Sequence, residues 1–134
     1  MNNLYDILNI KKSDIEKLIQ AAIDKTKREL NELTKEQTCL IYTSYLYRNL
    51  KKYNIACYIV DTMEDLNREY QHRFVVVPKD EENSYILDLT VSQFGSNSVF
   101  KEMEDRGYQL LDNDKYDLYI SYVSVNYDRK KRKF

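Results

Sequence analysis

The hydrophobic period of this 134-residue chain changes at Asn54. Before that point apolar residues recur at helical spacing, and after it they come in short β-branched and aromatic runs. Such a chain folds as helices first and sheet afterwards. Ser13 with Glu16 forms a capping box, and Ile15, Leu18, Ile19, Ala22 and Ile23 predict an amphipathic helix from about Asp14 to about Leu33. Thr34 with Gln37 forms a second capping box. Leu40, Ile41, Tyr45, Leu46, Asn49 and Leu50 then hold the period to about Tyr53, with Asn54 as the stop. Strands are expected over Ile55–Val60, His72–Val77 and Tyr85–Leu89, the last two joined as a hairpin through Pro78 and the polar run Lys79–Ser84. Ser98–Arg106 reads as a short helix stopped by Gly107. Tyr116–Tyr127 reads as a strand with Leu118, Ile120 and Tyr122 on one face. The order predicts an α+β fold with N-terminal helices packed on an antiparallel β-sheet.

Only two glycines and one proline occur, so loops should be few and short. Hydrophobic residues make up 43% and charged residues 32%, the balance of one globular domain, expected over residues 1–128. Residues 129–134 form a basic tail, Arg129-Lys130-Lys131-Arg132-Lys133, read as a solvated terminus. A net charge of −1 argues against nucleic acid as a partner. Were the tail a nucleic-acid site, affinity would fall steeply with salt. No apolar run approaches the ~20 residues of a membrane span. The start, Met-Asn-Asn-Leu-Tyr-Asp, lacks the features of a secretory signal, so a soluble, cytoplasmic protein with free thiols is expected. One histidine, no cysteine pair at metal spacing and no glycine-rich phosphate loop point to chemistry without metal or cofactor.

Three residues carry that chemistry. Cys39 falls in the first turns of the second helix, where unpaired backbone N–H groups and the macrodipole favour thiolate over thiol. Plain core packing is the ordinary fate of a helical cysteine. His72, the only histidine, opens a strongly apolar strand. Asp88 interrupts the apolar run Tyr85-Ile86-Leu87-Asp88-Leu89, where an unpaired carboxylate would cost several kcal/mol; its bland reading is a turn aspartate ahead of Thr90. Register ties the last two together. In a hairpin centred near Asp80 or Glu81, facing residue numbers sum to about 160–162, and His72 and Asp88 share parity. The carboxylate can then hold one imidazole nitrogen and leave the other for a thiol. Cys57, in an apolar run, reads as core, and Asp61, Glu64, Asp65 and Glu69 as a solvated loop or short helix.

A cysteine at a helix head, a histidine opening His72-x-Phe74-Val75-Val76-Val77, and Asp88-x-Thr90-x-x-Gln93-Phe94 on the next strand resemble the papain-like superfamily in its transglutaminase-like branch. That branch includes bacterial toxin and effector domains that deamidate glutamine. The resemblance spans about sixty residues, Thr34 to Phe94, with Leu89 where many relatives carry proline. It implies a papain-like/transglutaminase-like core with Cys39 as nucleophile, His72 as base then acid and Asp88 as orienter. It also offers Gln37 and Gln93 as oxyanion or supporting residues, although Gln37 lies closer to Cys39 than the pattern has it. The expected activity is cysteine-dependent acyl transfer on an amide of a protein or peptide substrate: deamidation, transglutamination or proteolysis. The alternative is a non-catalytic binding module on the same fold.

Overall fold

The computed structural model describes residues 12–31, 39–94 and 97–132. Helix α1 spans Lys12–Asn31 and α2 spans Cys39–Lys52. Strand β1 (Tyr58–Asp61) leads into the short helix α3 (Thr62–Leu66), and β2 (Arg73–Pro78) and β3 (Asn83–Leu87) form a hairpin. Two 3-10 turns, Val91–Phe94 and Ser98–Phe100, and helix α4 (Lys101–Arg106) precede β4 (Tyr108–Asp112); helix α5 (Asn113–Arg132) follows.

Chain breaks fall where local chemistry demands them. Asn54 ends α2 in the left-handed region at φ 59°, the Ile55 N–H returns to the Leu50 carbonyl at 3.1 Å, and both apolar side chains enter one core. This is the helix-stop geometry expected of an asparagine. Gly107 ends α4 at φ 94°, its N–H donating to the Met103 carbonyl at 2.8 Å. A side chain there would meet strain, because left-handed backbone crowds Cβ. The β2–β3 turn is built on Asp80, whose carboxylate accepts from the backbone N–H groups of Glu82 and Asn83, both at 2.8 Å.

The four strands pair antiparallel in chain order, β1-β2-β3-β4. Across the hairpin Val75 faces Leu87 and Val77 faces Tyr85, so facing numbers sum to 162. One face presents Val75, Val77, Tyr85, Leu87 and Tyr108 to Ile19, Ile23, Leu46 and Leu50 of α1 and α2. The other presents Val60, Phe74, Val76, Ile86 and Leu111 to Phe94, Phe100, Met103 and the α5 residues Tyr119, Ile120 and Val123. The fold is α+β with a four-stranded antiparallel sheet, and helices cover both of its faces.

That second layer corrects the sequence reading. Residues 116–127 are helix, not strand. The period-two pattern of Leu118, Ile120 and Tyr122 is overridden by Tyr116, Tyr119, Ile120 and Val123, which sit on one stripe at helical spacing and pack under the sheet. Asp112 caps this helix by accepting the Lys115 N–H at 2.8 Å. Residues 129–132, read as tail, continue the same helix. Tyr108–Asp112 supplies the fourth strand, and Cys57 lies one residue ahead of β1 in the α1/α2 core. The capping pair Thr34 and Gln37 lies outside the described residues. No helix among the described residues is long and apolar enough to cross a membrane.

Candidate active site

His72 lies one residue before β2, and its backbone is fixed by Thr62 at the head of α3. The His72 N–H donates to Thr62 Oγ1 at 2.8 Å, and the Thr62 N–H donates to the His72 carbonyl at 2.9 Å. The Thr62 hydroxyl donates its hydrogen bond to the Tyr70 carbonyl at 2.7 Å, which leaves its oxygen to accept from the His72 N–H. Asp61 secures the same loop. Its carboxylate caps α3 through the Met63 and Glu64 N–H groups and accepts from Gln71 Nε2 at 2.9 Å and Arg73 Nε at 2.7 Å. Burial pushes the Asp61 carboxyl up, but Arg73, Gln71 and the two N–H groups outweigh it and hold it at about 2. The acidic stretch read as a solvated loop or short helix thus contains one buried anion, which anchors the residues on either side of His72.

Asp88 follows β3 directly, and its N–H donates to the Gly107 carbonyl at 2.9 Å. Asp88 is 3% exposed, and its side chain accepts four hydrogen bonds. Oδ1 takes the Thr90 N–H and hydroxyl, both at 3.0 Å. Oδ2 takes His72 Nε2 at 2.8 Å and the Tyr119 hydroxyl at 2.5 Å. Burial opposes the anion, yet the His72 charge and these donors keep the Asp88 carboxyl below the usual aspartate range. An ionised carboxylate only accepts, so Nε2 carries the imidazole proton and Nδ1 is the nitrogen on which base chemistry would depend. Phe94 meets the imidazole edge-on at a centroid distance of 5.0 Å, with Phe74 tilted at 6.2 Å.

His72 and Asp88, of like parity, meet on one face, and Asp88 is also the turn aspartate that holds Thr90. That face is the one covered by α5, whereas α2 packs on the opposite face. Cys39 is the first described residue of α2, with its side chain outside the described set; Gln37 lies wholly outside it. The backbone of Gln93 lies in the 3-10 turn after Asp88, again with its side chain outside the described set. Cys57 is buried, and that burial pushes its thiol up, the environment of an inert cysteine. Among the described residues no group of three His, Cys, Asp or Glu side chains could hold a metal ion.

Tyr119 is the residue that sequence reasoning missed. Fully buried, it stands between Phe74 at 5.1 Å and Phe100 at 5.8 Å. Burial first, and the neighbouring Asp88 charge second, push its phenol well above the usual range, so it stays protonated and donates. The spacing of Tyr116, Tyr119, Ile120 and Val123 is helical, but it competes with the strand-like alternation of Leu118, Ile120 and Tyr122. No protein-family model, curated protein or solved structure matches this chain.

Proposed function

We propose that the chain is a cysteine-dependent acyl-transfer enzyme with a papain-like/transglutaminase-like core, acting on an amide of a protein or peptide in the cytoplasm. The observation that carries the reading is the buried His72 Nε2–Asp88 Oδ2 contact of 2.8 Å. A carboxylate held in this way orients the imidazole with its proton on Nε2, and in a cysteine-dependent mechanism Nδ1 would be the atom that takes the thiol proton. Cys39 Sγ would attack the amide carbon, and the imidazolium would return its proton to the departing nitrogen as the C–N bond breaks. Water would then hydrolyse the thioester, giving deamidation for a glutamine side chain or proteolysis for a peptide bond; an amine acceptor would give transglutamination.

The two layers of the fold set a geometric condition. Helix α2 packs on one face and the imidazole lies on the other, so the proposal requires the start of α2 to lie by the end of β2 that adjoins His72. Thr43 Oγ1 donates to the Arg73 carbonyl at 3.3 Å and ties the early turns of α2 to the residue after His72. Cys39 lies one helical turn before Thr43. The test is alkylation of the native protein by iodoacetamide across pH, mapped by mass spectrometry. Cys39 should react with a midpoint well below the ~8.5 of a free thiol while Cys57 stays unlabelled, and Cys39→Ala should abolish amide turnover in a folded protein. Labelling of Cys57 with Cys39 spared overturns the proposal.

A second reading is favoured by the 1% exposure of His72: the imidazole, carboxylate and phenol form a structural lock in a non-catalytic binding module. It predicts an ordinary thiol midpoint at Cys39 in the same experiment.

A further inference from the structure

Helix α5 delivers a third polar group to the buried pair. The Tyr119 hydroxyl lies 2.5 Å from the same Asp88 oxygen that accepts from His72 Nε2, and 3.4 Å from that nitrogen. With Nε2 carrying a proton, phenol and imidazole are rival donors to a single Oδ2. Each donor withdraws charge from that oxygen and weakens what it offers the other. Tyr119 also lies beyond the segment that resembles the papain-like pattern, which ends at Phe94.

We propose that Tyr119 is a positioning residue that sets, through Asp88, how strongly the His72 imidazole holds its proton. The inference rests on the acyl-transfer reading for its consequence but not for its geometry. By sharing the carboxylate, the phenol limits how far Asp88 stabilises the imidazolium, and so governs how readily the ring gives up the proton that acid–base chemistry needs it to return. Without the hydroxyl, Oδ2 is left to His72 alone and the imidazole becomes more basic. The phenol itself stays neutral, because burial and then the Asp88 charge push it well above its usual range.

Among the described residues, the ionisable groups that act on Tyr119 besides Asp88 include the Tyr70 and Tyr116 phenols, and Tyr116 in turn feels Tyr58, Asp65 and Asp117. Tyr70 approaches from the loop before β2, Tyr116 and Tyr122 from α5, and Glu104 of α4 acts on Tyr122. The Arg73 guanidinium next to His72 is committed to Asp61. A Cys39→Ala background removes the α2 thiol from the titration.

His72 is the only histidine in the sequence, so its imidazole resonances need no assignment by mutation. The experiment is an NMR titration of its ring nitrogens and carbons in the wild type, Tyr119→Phe, and a protein with 3-fluorotyrosine placed at position 119. Tyr119→Phe should raise the His72 midpoint by about half a pH unit or more. The fluorinated phenol, a stronger donor of nearly the same shape, should lower it, and it keeps the test alive should the Phe variant fail to fold. Unchanged midpoints, or both shifts in one direction, overturn the proposal and leave Tyr119 a packing residue. The two readings fail separately. Opposite shifts that persist in Cys39→Ala, together with an unreactive Cys39 in the wild type, sink the enzyme and keep the relay. A reactive Cys39 with an unmoved imidazole does the reverse.

Discussion

Asp88 is a buried anion that persists because four donors surround two oxygens, and each donor belongs to a different chemical type: amide, hydroxyl, imidazole and phenol. Asp88→Asn keeps the size but replaces one acceptor with an NH2 group, which must face either Thr90 or the His72 and Tyr119 donors. The expected loss is about 3–5 kcal/mol, the range for breaking a buried charge pair, read by urea unfolding. A loss below ~1 kcal/mol would show that the carboxylate is not what binds this cluster. The imidazole–carboxylate pair was legible from sequence, because two residues of like parity flank a hairpin whose polar turn is marked by Pro78 and Asp80. Asp61 was not. Its run of neighbouring acids suggests solvent, and only the fold brings Arg73 and Gln71 round to it.

At the scale of elements, the α1/α2 layer and the hairpin could be read because apolar period and turn chemistry agree there. Helix α5 could not, because Tyr, Ile and Val favour strands and the alternation of Leu118, Ile120 and Tyr122 satisfies a strand as well as a helix. Tertiary burial decided the matter, and with the wrong period Tyr119 pointed away from the site. Gly107 joins elements that the sequence keeps far apart. It stops α4, its carbonyl holds the Asp88 N–H, and an added Cβ would lie 2.6 Å from Leu89 Cδ2 and 3.3 Å from Ile23 Cδ1. Gly107→Ala should lower stability by at least about 1–2 kcal/mol from left-handed backbone alone, with Leu89 displaced further. Thermal unfolding checks the magnitude. A neutral outcome would mean that the turn relaxes without disturbing Asp88.

For the whole molecule, the two buried carboxylates predict how the fold responds to acid. Both titrate below their unfolded values in the native state, so they stabilise it fully above the ordinary aspartate pKa of ~4 and lose that contribution as pH falls through the folded values. For Asp61 the window runs from ~4 down to about 2. These two carboxylates should therefore make unfolding free energy drop as pH falls below ~4, and Asp61→Asn should flatten part of that drop. An acid limb unchanged in that variant would contradict the assignment. The strand order has a temporal consequence. His72 and Asp88 are joined by one tight hairpin, a short loop to close, whereas Tyr119 must return from the far side of β4. During synthesis the hairpin can zip while the aromatic face of the sheet is still bare. Until residues 113–132 emerge, that face is sticky surface in need of a chaperone or of speed. A ribosome-bound chain arrested before α5 should accordingly hold a native-like hairpin yet bind hydrophobic dyes.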